Sequence, residues 1–97
     1  MRKDKAKPVI PRGQARLDVD DALDYYLTQA SQSVARGFID ALEQGYRHIS
    51  RFPASGSPRY AQELDLPGLR IWGLSDYPLI IFYVEREDHV DVWRVLH

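Results

Sequence analysis

The apolar side chains from Gln14 onward recur every three or four residues, a spacing typical of a helix with one buried face. They are Ala15, Val19, Ala22, Leu23, Tyr26 and Ala30. A second helix is predicted next, with Ser31 or Ser33 as its N-cap and with Pro53 and Gly56 at its end. Its apolar stripe consists of Ala35, Phe38, Ile39, Leu42, Tyr46 and Ile49. We expect the two helices to form a hairpin.

The second helix also carries a stripe of small residues, Gly37, Ala41 and Gly45, spaced four apart. A glycine inside a helix costs about 1 kcal/mol relative to alanine. Two glycines on one face therefore indicate that another element packs very close, and the first helix is the predicted neighbour. The alternative is an exposed helix face that tolerates glycine.

Three strand-like runs follow residues 53–68, which prolines and glycines mark as a loop. Short turns separate the runs, which span residues 69–74, 79–84 and 89–96. Such connections predict an antiparallel meander. Before the helices, Val9 and Ile10 lie between two prolines, a context that restricts them to a short edge strand. The predicted fold class is α+β: a short N-terminal strand, a two-helix hairpin and a three-stranded antiparallel meander.

The middle run, residues 79–84, is apolar on both faces, so both faces of that strand should be covered. The helical hairpin covers one face, and no later element is available for the other. The sequence therefore predicts a sheet face that is apolar and partly uncovered, a feature that usually marks a partner site. The alternative is that the hairpin and residues 53–68 wrap the sheet completely.

Composition and charge narrow the function further. A chain of 97 residues makes one domain, predicted over residues 8–97, and residues 1–7 are polar and expected to be mobile. The net charge of −1 gives no global field for nucleic acid, so no direct sequence-specific binding of it is expected. The absence of cysteine fits a reducing bacterial cytoplasm. No apolar run approaches the ~18 residues of a membrane span.

The sequence lacks phosphate loops, nucleophile elbows and metal-ligand spacings, so neither a cofactor nor a metal is predicted. Arg70 and Arg94 lie in apolar strands, where an arginine is costly to bury unless it is paired. They are expected either to pair with acids such as Asp91 or Glu85 or to point outward and bind phosphate or carboxylate.

A ribonuclease that uses the 2′-hydroxyl as nucleophile needs a base, a cation for the phosphate and an acid for the leaving oxygen. His97 can act as the base, and Arg70 and Arg94 can supply the cation. No convincing residue fills the third role, because Tyr83 in its apolar strand is expected to be core.

Five segments of the chain, taken in order, resemble the ParE toxin family over roughly residues 8–97. They are Ala15-x-x-Asp18-Val19-x-x-Ala22-x-x-Tyr25, Phe38-Ile39-x-x-Leu42 with Ile49 and Phe52-Pro53-x-x-Gly56, Leu66-Pro67-Gly68-Leu69-Arg70, Tyr77-Pro78-Leu79-Ile80-Ile81-Phe82-Tyr83, and Arg94-Val95-Leu96-His97. Each segment alone is degenerate, but their order and spacing together are fairly specific.

The resemblance implies the toxin half of a type II toxin–antitoxin operon. It implies a ParD-like antitoxin whose C-terminal segment wraps the toxin, often in a heterotetramer or a larger complex. It also implies DNA gyrase as the target, poisoned while DNA is cleaved. The related RelE branch has the same fold but consists of ribosome-dependent mRNA endonucleases, which use lysines, arginines and a terminal tyrosine or histidine.

This sequence has no lysine after Lys7, which favours the ParE branch and a non-enzymatic inhibitor. The runner-up is a RelE-like ribonuclease, and a third possibility is an inactive partner of a DNA-binding repressor. The candidate target-binding residues, which would also be the catalytic set of a ribonuclease, are Arg70, Arg94 and His97. The candidate antitoxin contacts are Asp18, Asp21, Asp24, Trp72, Tyr83 and Trp93.

Overall fold

Four strands and three α-helices make up the part of the chain that the structure, a computed structural model, describes: residues 6–97. In chain order they are β1 (Val9–Pro11), α1 (Gly13–Gln29), α2 (Gln32–Arg51), α3 (Arg59–Glu63), β2 (Leu69–Gly73), β3 (Ile80–Glu85) and β4 (Val90–Leu96). A 3-10 turn at Pro53–Ser55 follows α2. No helix within residues 6–97 has the length and apolar character needed to cross a membrane.

The sheet has the strand order β1-β4-β3-β2. Strands β2, β3 and β4 form the predicted antiparallel meander, and each begins and ends within one residue of its expected position. The predicted edge strand β1 is present, but it runs parallel to β4, with Val9 opposite Val90. The sheet is therefore mixed, because β1 adds one parallel pair to the meander.

The hairpin of α1 and α2 covers one face of the sheet. Ser31 is the N-cap of α2, and its side-chain oxygen accepts a hydrogen bond from Val34 N at 3.1 Å. Helix α2 buries most of its predicted stripe, with Phe38 and Ile49 fully enclosed. Helix α1 buries less than its pattern predicts, because it packs against β4 and α2 at the rim of the sheet. Only Ala15 of its apolar positions is fully buried.

The small-residue stripe of α2 does allow a close approach, but the predicted neighbour is wrong. The hydroxyl of Tyr77, from the β2–β3 turn, lies over Gly37 and donates a hydrogen bond to Val34 O at 2.8 Å. A Cβ atom added to Gly37 would collide with that hydroxyl, and one added to Gly45 would lie 3.0 Å from Ile81 Cδ1. The stripe therefore packs against the sheet and the β2–β3 turn, not against α1.

The opposite, outer face of the sheet is only partly covered. Residues 53–68 contain α3 and the 3-10 turn, so they are not the simple loop that the sequence predicts. Helix α3 packs against β2, and its Tyr60 ring stacks on Phe82 at a centroid distance of 6.4 Å. At that end Leu69 and Val84 are buried. On the rest of this face Arg94 lies beside Phe82, and four half-buried apolar residues, hereafter the outer strip, surround it: Ile71, Ile80, Phe82 and Leu96.

Residues 1–5 of the predicted mobile segment lie outside the described residues. Lys7, the last residue of that segment, is held in place instead. Its backbone N–H donates to Ser50 O at 3.0 Å, and its ammonium donates to Glu85 Oε2 at 2.7 Å. The ordered domain therefore begins before β1.

Candidate functional site

Asp18 of α1 occupies the free edge of β4. Its carboxylate accepts hydrogen bonds from Arg94 Nε at 2.8 Å and Nη2 at 2.9 Å, and from Val95 N at 3.0 Å. Strand β1 pairs with Val90–Val92, so no strand formed by residues 6–97 lies beside the N–H of Val95. The Asp18 side chain takes the place of a strand carbonyl there.

These hydrogen bonds hold Asp18, one of the predicted antitoxin contacts, away from the surface. Asp18 is only 9 % exposed. The hydrogen bonds from Arg94, with that from Val95 N, outweigh burial and lower its pKa, so the carboxylate is charged and satisfied internally. Arg94 does pair with an acid, as one of the two alternatives predicts, but the acid is Asp18 and not Asp91 or Glu85. Asp21 and Asp24 remain exposed on α1.

Asp91 is the centre of a second polar cluster, which the sequence analysis missed. It is 6 % exposed and accepts from Arg12 Nε and Nη2 at 3.0 and 2.9 Å. It also accepts from Arg86 Nη2 at 3.0 Å and from Trp93 Nε1 at 3.0 Å. Burial raises the pKa of Asp91, but these hydrogen bonds outweigh it and hold the pKa at about 2. The sequence feature that indicates such a polar cluster is a single acidic residue between two strand valines, Val90 and Val92.

Trp93 lies at an irregularity in β4. Tyr83 pairs with Val92 and the preceding Phe82 pairs with Arg94, so Trp93 is the extra residue of a bulge. Bulges redirect side chains, and here the indole reaches Asp91. The guanidinium carbon of Arg12 lies over the Trp93 ring, 4.7 Å from its centroid. Trp93 is half-buried and stays a candidate antitoxin contact.

Arg70 and Tyr83 hold the segment that follows α2. Arg70 donates from Nη1 to Gly56 O at 2.7 Å, so it pairs with a carbonyl, not with the expected acid. Tyr83 is fully buried, as its apolar strand predicts. Its hydroxyl donates to Pro53 O at 2.7 Å and accepts from Gly56 N at 3.0 Å. Burial raises the pKa of this phenol. Tyr83 is therefore not a surface contact for a partner in this structure.

Trp72 belongs to the other side of the sheet from the outer strip. It pairs across the ladder with Ile81, a core residue, and its ring stacks on His48 at 4.0 Å. It is half-buried at the edge strand β2. The two tryptophans of the chain therefore lie on different surfaces, and one partner segment does not cover both by following a single face.

His97 borders a cleft between α1 and the end of β4. The cleft has a volume of about 270 Å³, and its α1 wall consists of Asp18, Asp21, Ala22, Tyr25 and Tyr26. Tyr25 is 58 % exposed. An acidic side chain and two phenol rings suit a cationic group better than a phosphate, because a carboxylate repels phosphate.

The two arginines of the ribonuclease hypothesis do not converge in this structure. Arg70 pairs with Tyr83 and Arg94 with the neighbouring Phe82, so the two arginines point to opposite faces of the sheet. They also lie on β2 and β4, which β3 separates, at about 10 Å for two strand spacings. One scissile phosphate therefore does not reach both arginines.

Comparison with known proteins agrees with this architecture. Residues 9–97 match the family described as "ParE toxin of type II toxin-antitoxin system, parDE". A solved structure described as "Chromosomal ParDE TA system from P. aeruginosa" has a chain with the same fold, at a TM-score of 0.77 and 15 % sequence identity. The alignment covers 95 % of this chain and 96 % of that one. A search of curated protein sequences found no match. The family match extends over nearly the whole domain, and the chain belongs to the ParE toxin family of type II toxin–antitoxin systems.

Proposed function

We propose that this ParE-family toxin inhibits DNA gyrase by binding it in the bacterial cytoplasm, and that a ParD-like antitoxin neutralises it. The single observation that carries the proposal is the family match over residues 9–97. The half-buried outer strip supports a protein partner, because contiguous apolar surface usually marks a binding site. A heterotetramer or a larger toxin–antitoxin complex is the proposed resting form.

Inhibition by binding, not by catalysis, fits the geometry of the candidate residues. Arg70 is tied to a backbone carbonyl and Arg94 to Asp18. The two arginines lie on opposite faces of the sheet, and His97 lies beyond the end of β4. A general base and a phosphate-binding cation need to meet within hydrogen-bond reach of one substrate. Arg94 and His97, which are close in sequence, remain candidates for gyrase contact.

The proposed antitoxin contacts divide into an apolar and an acidic set. An extended segment or an amphipathic helix of the antitoxin would cover the outer strip beside Trp93. Basic residues of the antitoxin would meet Asp21 and Asp24, the exposed aspartates of α1. Exposed ion pairs contribute about 0–1 kcal/mol each, so the apolar set should dominate the affinity.

A gyrase assay tests the proposal directly. Purified toxin, released from its antitoxin, should block supercoiling of relaxed plasmid or trap cleaved DNA at micromolar concentration. Addition of the antitoxin should restore supercoiling. Gyrase that keeps its full activity at micromolar toxin would contradict the proposal. Translating ribosomes incubated with the same toxin serve as a parallel reaction, in which intact mRNA is expected. Cleavage there that disappears in His97→Ala would favour the ribonuclease.

A further inference from the structure

Arg12 and Arg86 form a fixed pair of cations around one carboxylate. Both guanidinium groups direct Nε and Nη2 at Asp91. Their Nη1 groups therefore lie on the sides of the guanidiniums away from Asp91, because the five N–H donors of a guanidinium are fixed in one plane. The two side chains are 53 % and 44 % exposed, and two positive charges share a single negative one. Arg12, Arg86 and Asp91 together carry a net charge of +1, and Nη1 of each arginine is not used in the hydrogen bonds to Asp91.

This arginine pair lies at one end of the outer face. Asp91 is opposite Val84 in the β3–β4 ladder, and Phe82, two residues before Val84, lies on the same face in the outer strip. Trp93 joins the two regions, since its indole N–H reaches Asp91 and Arg12 stacks over its ring. A single extended segment that follows the face therefore meets the outer strip, with Arg94 beside Phe82, and then the arginine pair.

We propose that the outer face binds a peptide segment whose apolar side chains cover the outer strip and whose carboxylates meet Arg12 and Arg86. This inference rests on the proposed function, because the antitoxin is the partner that supplies such a segment. Carboxylates match the guanidinium fork in two parallel hydrogen bonds. Asp91 holds both guanidiniums in place before binding, so little side-chain freedom is lost when the partner arrives.

The same surface fits nucleic acid poorly. Its outer strip consists of four half-buried apolar residues, Ile71, Ile80, Phe82 and Leu96. Nucleic-acid sites instead neutralise several phosphates with cations. Helix α1, which packs against β4, exposes Asp20, Asp21 and Asp24, and these charges repel a phosphate backbone. An acidic and apolar peptide satisfies both parts of the face at once.

Short labelled peptides test the inference with the full chain, free of antitoxin. In one probe glutamate alternates with leucine, and in matched probes glutamine or lysine replaces glutamate. The glutamate peptide should bind about tenfold more tightly than the glutamine peptide, since each hydrogen bond to a charged group contributes on that order. Arg12→Gln and Arg86→Gln should each remove most of that preference. Arg47→Gln, an exposed arginine of α2, should leave it unchanged.

Each glutamine variant keeps the other arginine and Trp93 on Asp91, so it should fold, and circular dichroism checks this. Arg12→Lys and Arg86→Lys provide a second set in case a glutamine variant unfolds. Lysine keeps the positive charge but cannot make the two parallel hydrogen bonds of a guanidinium. The preference for the glutamate peptide should therefore fall by several-fold. Equal binding of the glutamate and glutamine peptides to the parent chain would overturn the inference. So would tighter binding of an oligothymidylate than of the glutamate peptide.

The gyrase assay separates this inference from the proposed function. A toxin that inhibits gyrase but shows no preference for the acidic peptide would overturn the inference alone. A chain that prefers the acidic peptide but leaves gyrase untouched would support the inference and contradict the gyrase target.

Discussion

Asp18 and Arg94 are joined by two hydrogen bonds of 2.8 and 2.9 Å, although they lie 76 residues apart in the chain. The pair fastens the first helix to the last strand at the point where the parallel ladder with β1 stops. It also limits Asp18, whose side chain is 7 % exposed, to an internal role. Arg94 can offer a partner only the part of its guanidinium that faces away from Asp18, since its side chain is 42 % exposed.

Replacement of Asp18 by alanine should lower the free energy of unfolding by about 2 kcal/mol. Removal of one partner from a buried ion pair costs roughly 3–5 kcal/mol, and the exposed side of Arg94 reduces that value through solvent screening. Urea unfolding monitored by circular dichroism measures the change. Asp24→Ala, at an exposed position of the same helix, is the control and should change stability by less than about 0.5 kcal/mol. Equal stability of the two variants would contradict the structural role of the pair.

Asp91 should make stability depend on pH in the acid range. Its folded pKa of about 2 lies below the value of about 3.9 for an unfolded chain. A carboxyl group with a depressed folded pKa contributes stability that is fully present above the unfolded pKa and is lost as pH falls through the folded pKa. The contribution, about 2 kcal/mol, should therefore disappear between about pH 4 and pH 2.

Urea unfolding at several pH values in that window measures the loss. Asp91→Asn supplies the comparison, because an amide does not titrate and its stability curve should be flatter by about the same 2 kcal/mol. Asp18, whose pKa is also lowered, remains in both proteins and contributes a loss of the same sign to each. Parallel curves for the parent and the variant would show that Asp91 is not a stabilising charge.

The patterns that are local in sequence gave the fold correctly. Strand-like runs separated by short turns located β2, β3 and β4 within one residue, and Ser31 was one of the two serines predicted as the N-cap of α2. Helix α3 was missed because it is only five residues long and follows Pro58, in a stretch dominated by turn formers. The direction of β1 has no local signature, since three residues between prolines fit either a parallel or an antiparallel edge.

The candidate site was harder to predict because its residues meet across the chain. Arg12 and Asp91 are 79 residues apart, and no periodicity relates them. Arginine–acid pairing was expected, but the partners were wrong because hydrogen-bond geometry at a strand edge decides them. Asp18 was predicted, with Asp21 and Asp24, to contact the antitoxin, yet its side chain is buried and pairs with Arg94.

Gly37 and Tyr77 should show energetic coupling. Gly37→Ala gains about 1 kcal/mol of helix propensity, but the new methyl group collides with the Tyr77 hydroxyl. The hydroxyl then has to leave Val34 O, so we expect a net loss of about 1 kcal/mol in the parent chain. In a Tyr77→Phe background the obstacle is absent, and the same substitution should stabilise the protein. A double-mutant cycle in urea measures the coupling, and additive effects would contradict the close contact.

Neutralisation of the exposed aspartates on α1 should weaken the antitoxin complex slightly. Asp21→Asn with Asp24→Asn should raise the dissociation constant by less than about tenfold, since each surface ion pair contributes about 0–1 kcal/mol. The effect should shrink as salt is added, because exposed charges are screened. Titration calorimetry at low and high salt measures it, with Asp40→Asn on α2 as the control. Unchanged affinity at low salt would remove these aspartates from the interface.

A charge placed in the outer strip should damage the antitoxin complex far more. Ile80 is half-buried at the strip and pairs with Leu96, so Ile80→Asp leaves the domain core in place. A carboxylate buried without a partner in an apolar interface costs several kcal/mol, so the dissociation constant should rise by at least about a hundredfold. Val34→Asp, at an exposed position on the helical side, should have little effect. If the antitoxin binds Ile80→Asp and the parent equally well, the outer strip is not the antitoxin-binding site. The helical side of the domain would then be the surface to test next.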